Sequence, residues 1–376
     1  MQTPLYDIHC RLGAKMTEFA GWEMPLYYSG ISHEVQAVRS CAGIFDLSHM
    51  GELVARGPGA LDSLQFLTTN DVAVLEVGRA QYTLMCNEEG GVLDDLIVYR
   101  LDSDLYMLVV NAANAQSDFT WIQAHGRPGA EWEDVSRETS LVAVQGPASG
   151  GLLQPMVDFD LNTLPKFGIK HGRVGDIICW IARTGYTGED GFEIVCSAAD
   201  CPALWTLVLE AGRSVGAEPV GLGARDVLRL EAGYPLYGHE LTRATTPVDA
   251  RLLWVVKFAK PDFLGKRAIS QARERGPKQL LVGLEALERC VPRHGYDVTL
   301  GQVRVGHVTS GTFSPTFGKG IAMAYVEPSH AKEGARVDVQ IRGKPCSCKV
   351  VPTSFYQSKH GAPTAADVGK GVTGAI

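Results

Sequence analysis

The spacing of apolar residues predicts short helices and strands that alternate along most of the chain. Apolar positions recur at helical spacing in six segments, 32–41, 59–67, 114–126, 201–216, 223–232 and 261–276. We expect Ser32 to cap the first of these helices, with Glu34 in its first turn. Alternating or continuous apolar runs predict strands at 42–57, 81–87, 90–101, 105–112 and 140–146, and on both sides of the glycine-rich stretch 185–191.

The pattern divides the chain into regions of different character. Strands beside two helices predict a compact α+β unit at about 50–138. From residue 280 onward the pattern consists of strands and turns alone, which predicts a C-terminal β-barrel or Greek-key domain. The 42 glycines favour many tight turns over a helical bundle. The expected class is therefore α+β.

Composition and charge narrow the classes of function. With 376 residues, 45% of them hydrophobic and 20% charged, the chain has the composition of an ordinary globular protein of two or three compact units. A formal net charge of -7 argues against nucleic acid as a partner, and no apolar run suits a membrane span. The first residues resemble neither a secretory signal nor a transit sequence. We expect a cytoplasmic bacterial protein, or a mitochondrial matrix protein if the chain is a processed eukaryotic one.

The nine cysteines are scattered from Cys10 to Cys348 and are odd in number. This distribution favours reduced thiols over a disulfide framework. Cys346 and Cys348 form the only close pair, and no second Cys or His pair lies near them to complete a zinc site. We interpret these two cysteines as residues on the same face of one strand.

Two adjacent carboxylates stand at the start of a nearly apolar strand. In "GGVLDDLIVYRL", residues 90–101, strand periodicity places Asp94 and Asp95 on opposite faces, and both faces are otherwise apolar. At least one carboxylate is therefore expected at a buried edge, where desolvation raises its pKa and suits it to carry a proton. A turn closed by both aspartates explains the pair equally well.

Two further segments are polar where the surrounding pattern is apolar. In "RTGYTGEDGFEI", residues 183–194, glycines leave the backbone open to a ligand, Tyr186 offers an aromatic face, and Glu193 can accept hydrogen bonds from an amino-pyrimidine edge. A plain hairpin is the simpler explanation of this segment. Arg225 lies with other charged residues on a short predicted helix, where structural ion pairs are an equal explanation.

Several common signatures are absent from the sequence. There is no phosphate-binding P-loop, no H-E-x-x-H and no G-x-S-x-G, and "GLGARD", residues 221–226, lacks the third glycine of a dinucleotide fingerprint. Functions that depend on ATP, NAD or a zinc hydrolase therefore lose their simplest support. The lone His49 in "SHMGE" is interpreted as a structural residue rather than a catalyst.

Six segments form a more specific pattern together than any one of them alone. They are, in chain order, "FDLSHMGE", "GGVLDDLIVYR", "VVNAAN", "RTGYTGEDGFE", "GLGARDVLRLEAGYPLYGHEL" and "TSGTFSPTFGKGIAMAYV". In this order and spacing they resemble the T-protein family of the glycine cleavage system, over about residues 3–356. The resemblance implies that the methylene group of aminomethyl-lipoate, carried on lipoylated H-protein, passes to the co-substrate tetrahydrofolate. The products are 5,10-methylenetetrahydrofolate and ammonia, and no metal or nucleotide takes part.

The resemblance also implies three domains arranged as a cloverleaf around a central folate channel. Domain 1 binds folate and is discontinuous, consisting of 1–50 plus 139–260. Domain 2, at 51–138, carries Asp95. Domain 3, at 261–360, is the β domain, and 361–376 is a flexible tail.

Site residues follow from the same resemblance. Asp95 corresponds to the essential carboxylate of the family, and we expect it to hold N10 of folate, raise its nucleophilicity and offset the positive charge that develops as ammonia leaves. Asp94 is expected to order the turn at 90–91. Glu193 corresponds to the acceptor for the pterin edge and Arg225 to its companion contact. The other expected folate contacts are Tyr82, Asn111, Tyr186 and Phe355.

Two other functions suit the same fold. A related enzyme uses such a folate pocket to demethylate another donor, such as dimethylglycine, sarcosine or an O-methyl compound, but this chain has no FAD fingerprint and keeps "LDD" intact. A non-catalytic folate-binding module of iron–sulfur assembly carries a "KGCYTGQE"-like segment with an essential cysteine. The corresponding "YPLYGHEL", residues 234–241, contains no cysteine.

Overall fold

The computed structural model describes residues 1–358, so the predicted tail at 361–376 lies outside the described residues. The α-helices are α1 Tyr6–Arg11, α2 Ile31–Ser40, α3 Ala60–Leu67, α4 Ala115–His125, α5 Ser149–Leu153, α6 Cys201–Gly212, α7 Leu222–Ala232 and α8 Lys266–Arg275. The strands are β1 Lys15–Phe19, β2 Trp22–Tyr27, β3 Gly43–Asp46, β4 Gly51–Arg56, β5 Arg79–Cys86, β6 Val92–Asp102, β7 Leu105–Val110, β8 Glu131–Asp134, β9 Thr139–Gln145, β10 Ile169–Val174, β11 Ile177–Ala182, β12 Gly191–Ser197, β13 Glu218–Val220, β14 Leu280–Ala286, β15 Asp297–Leu300, β16 Val303–Ser314, β17 Lys319–Val326, β18 Arg336–Ile341 and β19 Lys344–Val351. No helix within residues 1–358 combines the length and apolar character needed to cross a lipid bilayer.

These strands form a hairpin, two open sheets and a barrel. The hairpin pairs β1 with β2, the six-stranded sheet has the order β10-β11-β12-β9-β3-β13, and the five-stranded sheet has the order β5-β6-β7-β4-β8. The barrel closes in the order β14-β17-β16-β15-β18-β19. The predicted α+β class and the C-terminal barrel are confirmed, while the exact domain bounds stay a prediction.

The centre of the six-stranded sheet is buried on both faces. Val142 and Val144 of β9 belong to one hydrophobic core, whereas Leu141 and Ala143 belong to another. Two-sided burial explains why the β9 segment reads as a continuous apolar run in the sequence.

Strand β6 contributes to two different cores through its two faces. Leu96 and Val98 pack into the core of the five-stranded sheet, together with α3 and α4. Tyr99 packs on the opposite side, in the core that also contains Leu141 and Ala143 of the six-stranded sheet. Because side chains alternate along a strand, Asp95 shares the face of Tyr99 and points toward the space between the two sheets.

The predicted cap of α2 is wrong. Ser32 lies inside the helix, and the N-cap position is Gly30, which makes no side-chain capping bond. The buried Glu34 carboxylate instead accepts hydrogen bonds from the backbone N–H groups of residues 28–30, at 2.6, 3.0 and 3.2 Å. A first-turn glutamate that reaches back therefore stabilises the beginning of the helix.

The single strand predicted at 42–57 is also wrong, because two strands form there. β3 belongs to the six-stranded sheet and β4 to the five-stranded sheet. Between them a turn is closed by the bond from Met50 N to Leu47 O and by the bond from Ser48 N to Asp46 Oδ1, both 2.9 Å long. The chain crosses between sheets at this turn without a glycine or proline to signal it.

The expectation of reduced cysteines is wrong for one pair. Cys290, in the loop after β14, forms a disulfide with Cys346 of β19, with 6.4 Å between the Cα atoms. A separation of 56 residues gives no local signal of such a contact. Cys346 and Cys348 are both buried in the barrel core, as expected for two residues on the same strand face.

Candidate active site

A cavity of about 600 Å³ lies where the two open sheets, α7 and the start of the barrel meet. Its wall draws residues from distant parts of the chain, from Thr17 in β1 to Thr353 after β19. The structure brings six of the seven predicted site residues to this wall. They are Tyr82, Asp95, Asn111, Tyr186, Glu193 and Arg225.

Asp95 is partly buried and reaches the cavity from β6. The Tyr82 hydroxyl donates to its Oδ2 atom at 3.0 Å, and the Asn111 amide donates to its Oδ1 atom at 3.0 Å. Burial raises the pKa of Asp95 to about 7, with a further contribution from the charge of Asp94, while the two hydrogen bonds act in the opposite direction. The carboxyl group therefore titrates much nearer to neutral pH than an ordinary aspartate does.

Asp94 faces away from the cavity and does not order the turn at 90–91, which corrects the prediction. It is fully buried and accepts hydrogen bonds from the Asn111 backbone at 2.9 Å and from the Asn114 amide at 2.7 Å. The turn is held by Asn87, whose Oδ1 atom accepts from Gly91 N at 2.8 Å. Asn87, seven positions before Asp94, thus takes the role that was predicted for the aspartate.

Glu193 and Arg225 face the cavity from β12 and α7. Glu193 Oε2 accepts hydrogen bonds from the Thr184 hydroxyl and from the Tyr99 hydroxyl, the latter at 3.4 Å. Burial raises the pKa of Glu193, and its bond from Thr184 counteracts this. The guanidinium carbon of Arg225 lies 4.6 Å from the centre of the Tyr186 ring.

The Arg225 guanidinium has no ion pair with any residue in the described range 1–358. Its neighbour Arg229 differs, since it is buried and pairs with Glu240 at 2.9 Å and with Asp226 at 2.7 Å. Structural ion pairs therefore account for Arg229 but not for Arg225, whose proposed role as a folate contact stays a prediction.

Aromatic side chains give the cavity two flat surfaces. Tyr82 stacks with Trp254, with 5.8 Å between the ring centres and an interplanar angle of 22°. Tyr186 stacks with Tyr234 at 5.6 Å and 24°. The sequence does not single out Trp254 or Tyr234, because Trp254 lies in a short 3-10 helix and Tyr234 outside the strands and helices, where no periodicity marks the orientation of a side chain.

Phe355 is the predicted site residue that the structure does not bring to the cavity wall. Its ring packs against the core formed by Leu230, Leu281 and barrel residues. Its backbone N–H donates to Glu231 O at 3.0 Å, which ties the end of the barrel domain to α7. The residue contributes to packing beneath the cavity rather than to its surface.

His49 does reach the cavity wall, although the sequence favours a structural role for it. It is 3% exposed, and its Nδ1 atom has no hydrogen-bond partner within residues 1–358. Burial and the nearby positive charge of Arg225 lower the pKa of His49 to about 4, so the imidazole is neutral at pH 7.

These features suit a planar ligand with polar edges. An apolar cavity with aromatic faces, a carboxylate acceptor, an unpaired guanidinium and one carboxyl of raised pKa is the usual composition of a small-molecule site. Glu193 and Arg225 suit a heterocycle that carries both donors and acceptors. Across residues 1–358, no group of three or more His, Cys, Asp or Glu side chains is arranged to hold a metal ion.

Comparison with known proteins gives matches over almost the whole chain. Residues 5–260 match the family model described as "GCVT N-terminal domain", and residues 279–357 match that described as "Glycine cleavage T-protein C-terminal barrel domain". The aminomethyltransferase of Symbiobacterium thermophilum is 50% identical over 367 residues, which cover 96% of this chain and 98% of that protein. The aminomethyltransferase of Geobacillus thermodenitrificans is 49% identical over 358 residues, with coverage of 95% and 98%.

A solved structure agrees with these matches. The glycine cleavage system aminomethyltransferase T from Bartonella henselae superimposes with a TM-score of 0.90 at 37% identity, over 95% of this chain and 98% of that one. The similarity therefore covers both open sheets, the barrel and the cavity between them. On these grounds the chain belongs to the glycine cleavage T-protein family of aminomethyltransferases.

Proposed function

We propose that the chain transfers the methylene group of aminomethyl-lipoate, carried on lipoylated H-protein, to tetrahydrofolate, with release of ammonia. Family membership supports the reaction class. The observation that carries the assignment to the cavity is Asp95, a carboxyl of raised pKa at the wall of a site that also presents Glu193 and Arg225. Tetrahydrofolate, when bound, supplies the nitrogen nucleophiles that accept the one-carbon unit.

Asp95 is the catalytic residue of this proposal. Its pKa of about 7 lets it both hold and release a proton near neutral pH, as a general acid or base requires. In its charged form the carboxylate stabilises positive charge that develops beside it. Tyr82 and Asn111 each occupy one of its oxygens, so the group is fixed before a ligand arrives.

The remaining residues of the wall bind and orient the ligand. Glu193 accepts hydrogen bonds from a donor edge, while Arg225 donates to acceptor atoms. The faces of Tyr82 and Tyr186 stack on planar rings, and Asn111 contributes through its bonds to Asp95. The proposed role of Phe355 is limited to supporting the end of the barrel, and no direct contact with folate is assigned to it.

Lipoylated H-protein is the proposed protein partner. Membership of the glycine cleavage family supports this assignment, since the transferred group reaches the enzyme on that carrier. The relatives named above are bacterial, which supports a cytoplasmic location.

The test of the proposal is a folate-dependent ammonia-release assay. Purified protein is mixed with aminomethylated H-protein, with and without tetrahydrofolate, and ammonia and methylenetetrahydrofolate are both measured. We expect stoichiometric formation of the two products and strong stimulation by folate. Release of ammonia that does not respond to folate would contradict the proposal. Dimethylglycine and sarcosine, offered as alternative donors, should give no product.

A further inference from the structure

A second layer of buried carboxyl groups lies behind Asp95. Asp94 on β6 is 0% exposed, and Asp118 on α4 is 2% exposed. Neither side chain reaches the cavity wall. The function proposed above assigns no role to Asp118, and the sequence pattern did not single it out.

Asp118 and Asp94 share a hydrogen bond. Two carboxyl groups in contact cannot both be ionised in a buried site, so one of them keeps a proton and donates it. Burial and the charge of Asp94 raise the pKa of Asp118 to about 10, and no described residue donates a hydrogen bond to its Oδ2 atom. Three N–H donors converge on Asp94 and none from the described residues reaches Asp118 Oδ2, so Asp118 is the protonated member and Asp94 is the acceptor.

Asp94 is well suited to keep the negative charge. Beside the bond from Asp118, it accepts from the Asn111 backbone, from the Asn111 amide at 2.8 Å and from the Asn114 amide at 2.7 Å. Hydrogen bonds of this kind stabilise the ionised form of a buried carboxylate. The bond donated by Asp118 completes this set of donors.

Asn111 connects this buried pair to Asp95. Its amide nitrogen lies 2.8 Å from Asp94 Oδ1 and 3.0 Å from Asp95 Oδ1. One amide hydrogen is thus directed to Asp94 and the other to Asp95, whose backbone oxygen also lies 3.1 Å from the amide nitrogen. The orientation of the Asn111 amide, and with it one of the two bonds that fix Asp95, depends on where Asp94 is held.

We propose that Asp118 is a positioning residue, whose hydrogen bond to Asp94 fixes Asn111 and through it the Asp95 carboxylate at the cavity. Arg243 and Tyr237 lie near Asp118 from the segment after α7, and Asp95 and Tyr82 lie beyond Asn111. The expected effect of Asp118 on turnover rests on the proposed function, whereas its effect on the pKa of Asp95 does not.

Loss of the Asp118 donor has a defined consequence. Without it Asp94 is more easily protonated, because a buried carboxylate has lost one of its stabilising bonds. A neutral Asp94 no longer repels charge on Asp95, and it accepts hydrogen bonds from Asn111 less strongly. The Asp95 carboxyl then titrates at lower pH and is held less firmly.

The experiment compares two substitutions at Asp118. Asp118→Leu removes the donor, whereas Asp118→Asn keeps an N–H that can donate to Asp94. In the ammonia-release assay we expect Asp118→Leu to lower kcat by roughly tenfold or more, with a change in KM for folate of less than about threefold. The acidic limb of its pH profile should move down by about one unit. Asp118→Asn should recover most of the rate and the position of the limb.

Gln116→Leu, at an exposed position of the same helix, controls for the introduction of leucine. A lower thermal unfolding temperature in both Asp118 variants, with unshifted pH profiles, would show a structural role only and overturn the proposal. Equal activity of Asp118→Leu and the wild type would overturn it as well.

A readout without turnover separates this inference from the proposed function. The carboxyl groups are followed by ¹³C NMR in protein labelled at aspartate, with Asp95 and Asp118 assigned from the Asp95→Asn and Asp118→Asn spectra. We expect Asp118 to stay protonated through neutral pH, and the Asp95 midpoint to fall by about one unit in Asp118→Leu. If this shift occurs but the wild type forms no methylenetetrahydrofolate, the proposed function fails and the coupling of the two aspartates stands. An unshifted midpoint overturns the coupling.

Discussion

At the scale of single residues, Asp95 shows how neighbours determine the chemistry of a common side chain. Burial and the adjacent Asp94 oppose ionisation, while the bonds from Tyr82 and Asn111 favour it. The opposed effects leave the pKa near 7 rather than at the value of about 4 that is usual for aspartate. The nearly apolar strand in which Asp95 lies therefore contributes to the raised pKa, because the same residue in a polar, solvated strand would lose less hydration.

Asp95→Asn should separate binding from catalysis. The amide keeps the size of the side chain and its contact with Tyr82, but it carries no charge and does not exchange a proton. We expect a loss of several orders of magnitude in kcat with folate affinity largely kept, measured by the assay and by equilibrium binding. Equal loss of both would move Asp95 from catalysis to binding.

Arg225→Met tests the unpaired guanidinium. Methionine keeps an apolar side chain beside the Tyr186 ring but removes the cation that has no ion-pair partner in residues 1–358. Because a hydrogen bond to a charged group contributes about 1.5–3 kcal/mol, the folate Kd should rise by roughly tenfold or more. Arg336→Met, at an exposed position of the barrel, is the matched control. A Kd that stays at the wild-type value in Arg225→Met would contradict the assignment.

At the scale of helices and strands, the apolar pattern predicted most elements but not how they end or connect. The segments predicted at 105–112 and 114–126 correspond to β7 and α4 within a few residues, because burial on one or two faces leaves a clear periodicity. The split between β3 and β4 left no such signal, since both strands are buried and the turn between them uses ordinary residues.

The apolar pattern also predicts part of the composition of the site. Asp95, Glu193 and Arg225 stood out because each is charged within an apolar segment. Trp254 and Asp118 did not, because an aromatic residue in a short 3-10 helix and an aspartate in a half-polar helix are ordinary in sequence. Trp254 contacts Tyr82 and Asp118 contacts Asp94, and periodicity does not report contacts between residues that are far apart in the chain.

Glu34 provides a test at this scale. Its carboxylate accepts from residues 28–30 before α2 and also from Gly221 N at 2.9 Å, at the beginning of α7. Glu34→Ala leaves these N–H groups without an acceptor, so we expect the free energy of unfolding to fall by about 3 kcal/mol in denaturant titrations. The control Glu218→Ala removes a more exposed carboxylate and should cost less than about 1 kcal/mol. Similar losses in the two variants would show that the capping role is unimportant.

At the scale of the whole molecule, buried acids make stability depend on pH in an unusual direction. The pKa is raised by burial in Glu52 to about 8, in Asp95 to about 7 and in Asp118 to about 10. An acid whose pKa is raised in the folded state contributes stability at low pH. This contribution is lost as the pH rises from about 4, the pKa in the unfolded chain, through the pKa in the folded state. The pKa of His49 is lowered to about 4, so its contribution to stability is present above about pH 6.5 and is lost as the pH falls below that value.

Glu52→Gln isolates one of these contributions. Glu52 is fully buried in β4, its Oε1 atom has no partner within the described chain, and Thr139 donates to its Oε2 atom at 3.2 Å. Glutamine does not ionise. The free energy of unfolding of Glu52→Gln, relative to that of the wild type, should therefore increase by roughly 1 kcal/mol per pH unit between about pH 5 and pH 8. Chemical denaturation at several pH values measures this difference. A difference that does not vary with pH would mean that Glu52 is ionised throughout.

Because the cavity wall draws on residues spread along the chain, the cavity is completed only late in synthesis of the protein. Thr17 is among the first wall residues to leave the ribosome and Thr353 is the last, and Phe355 and Tyr356 then bond to Glu231 O of α7. Domains generally fold as they emerge, but this site needs residues from nearly the entire chain. A chain that stalls during translation before residue 353 therefore lacks part of the cavity wall, together with the contacts that join the end of the barrel domain to α7.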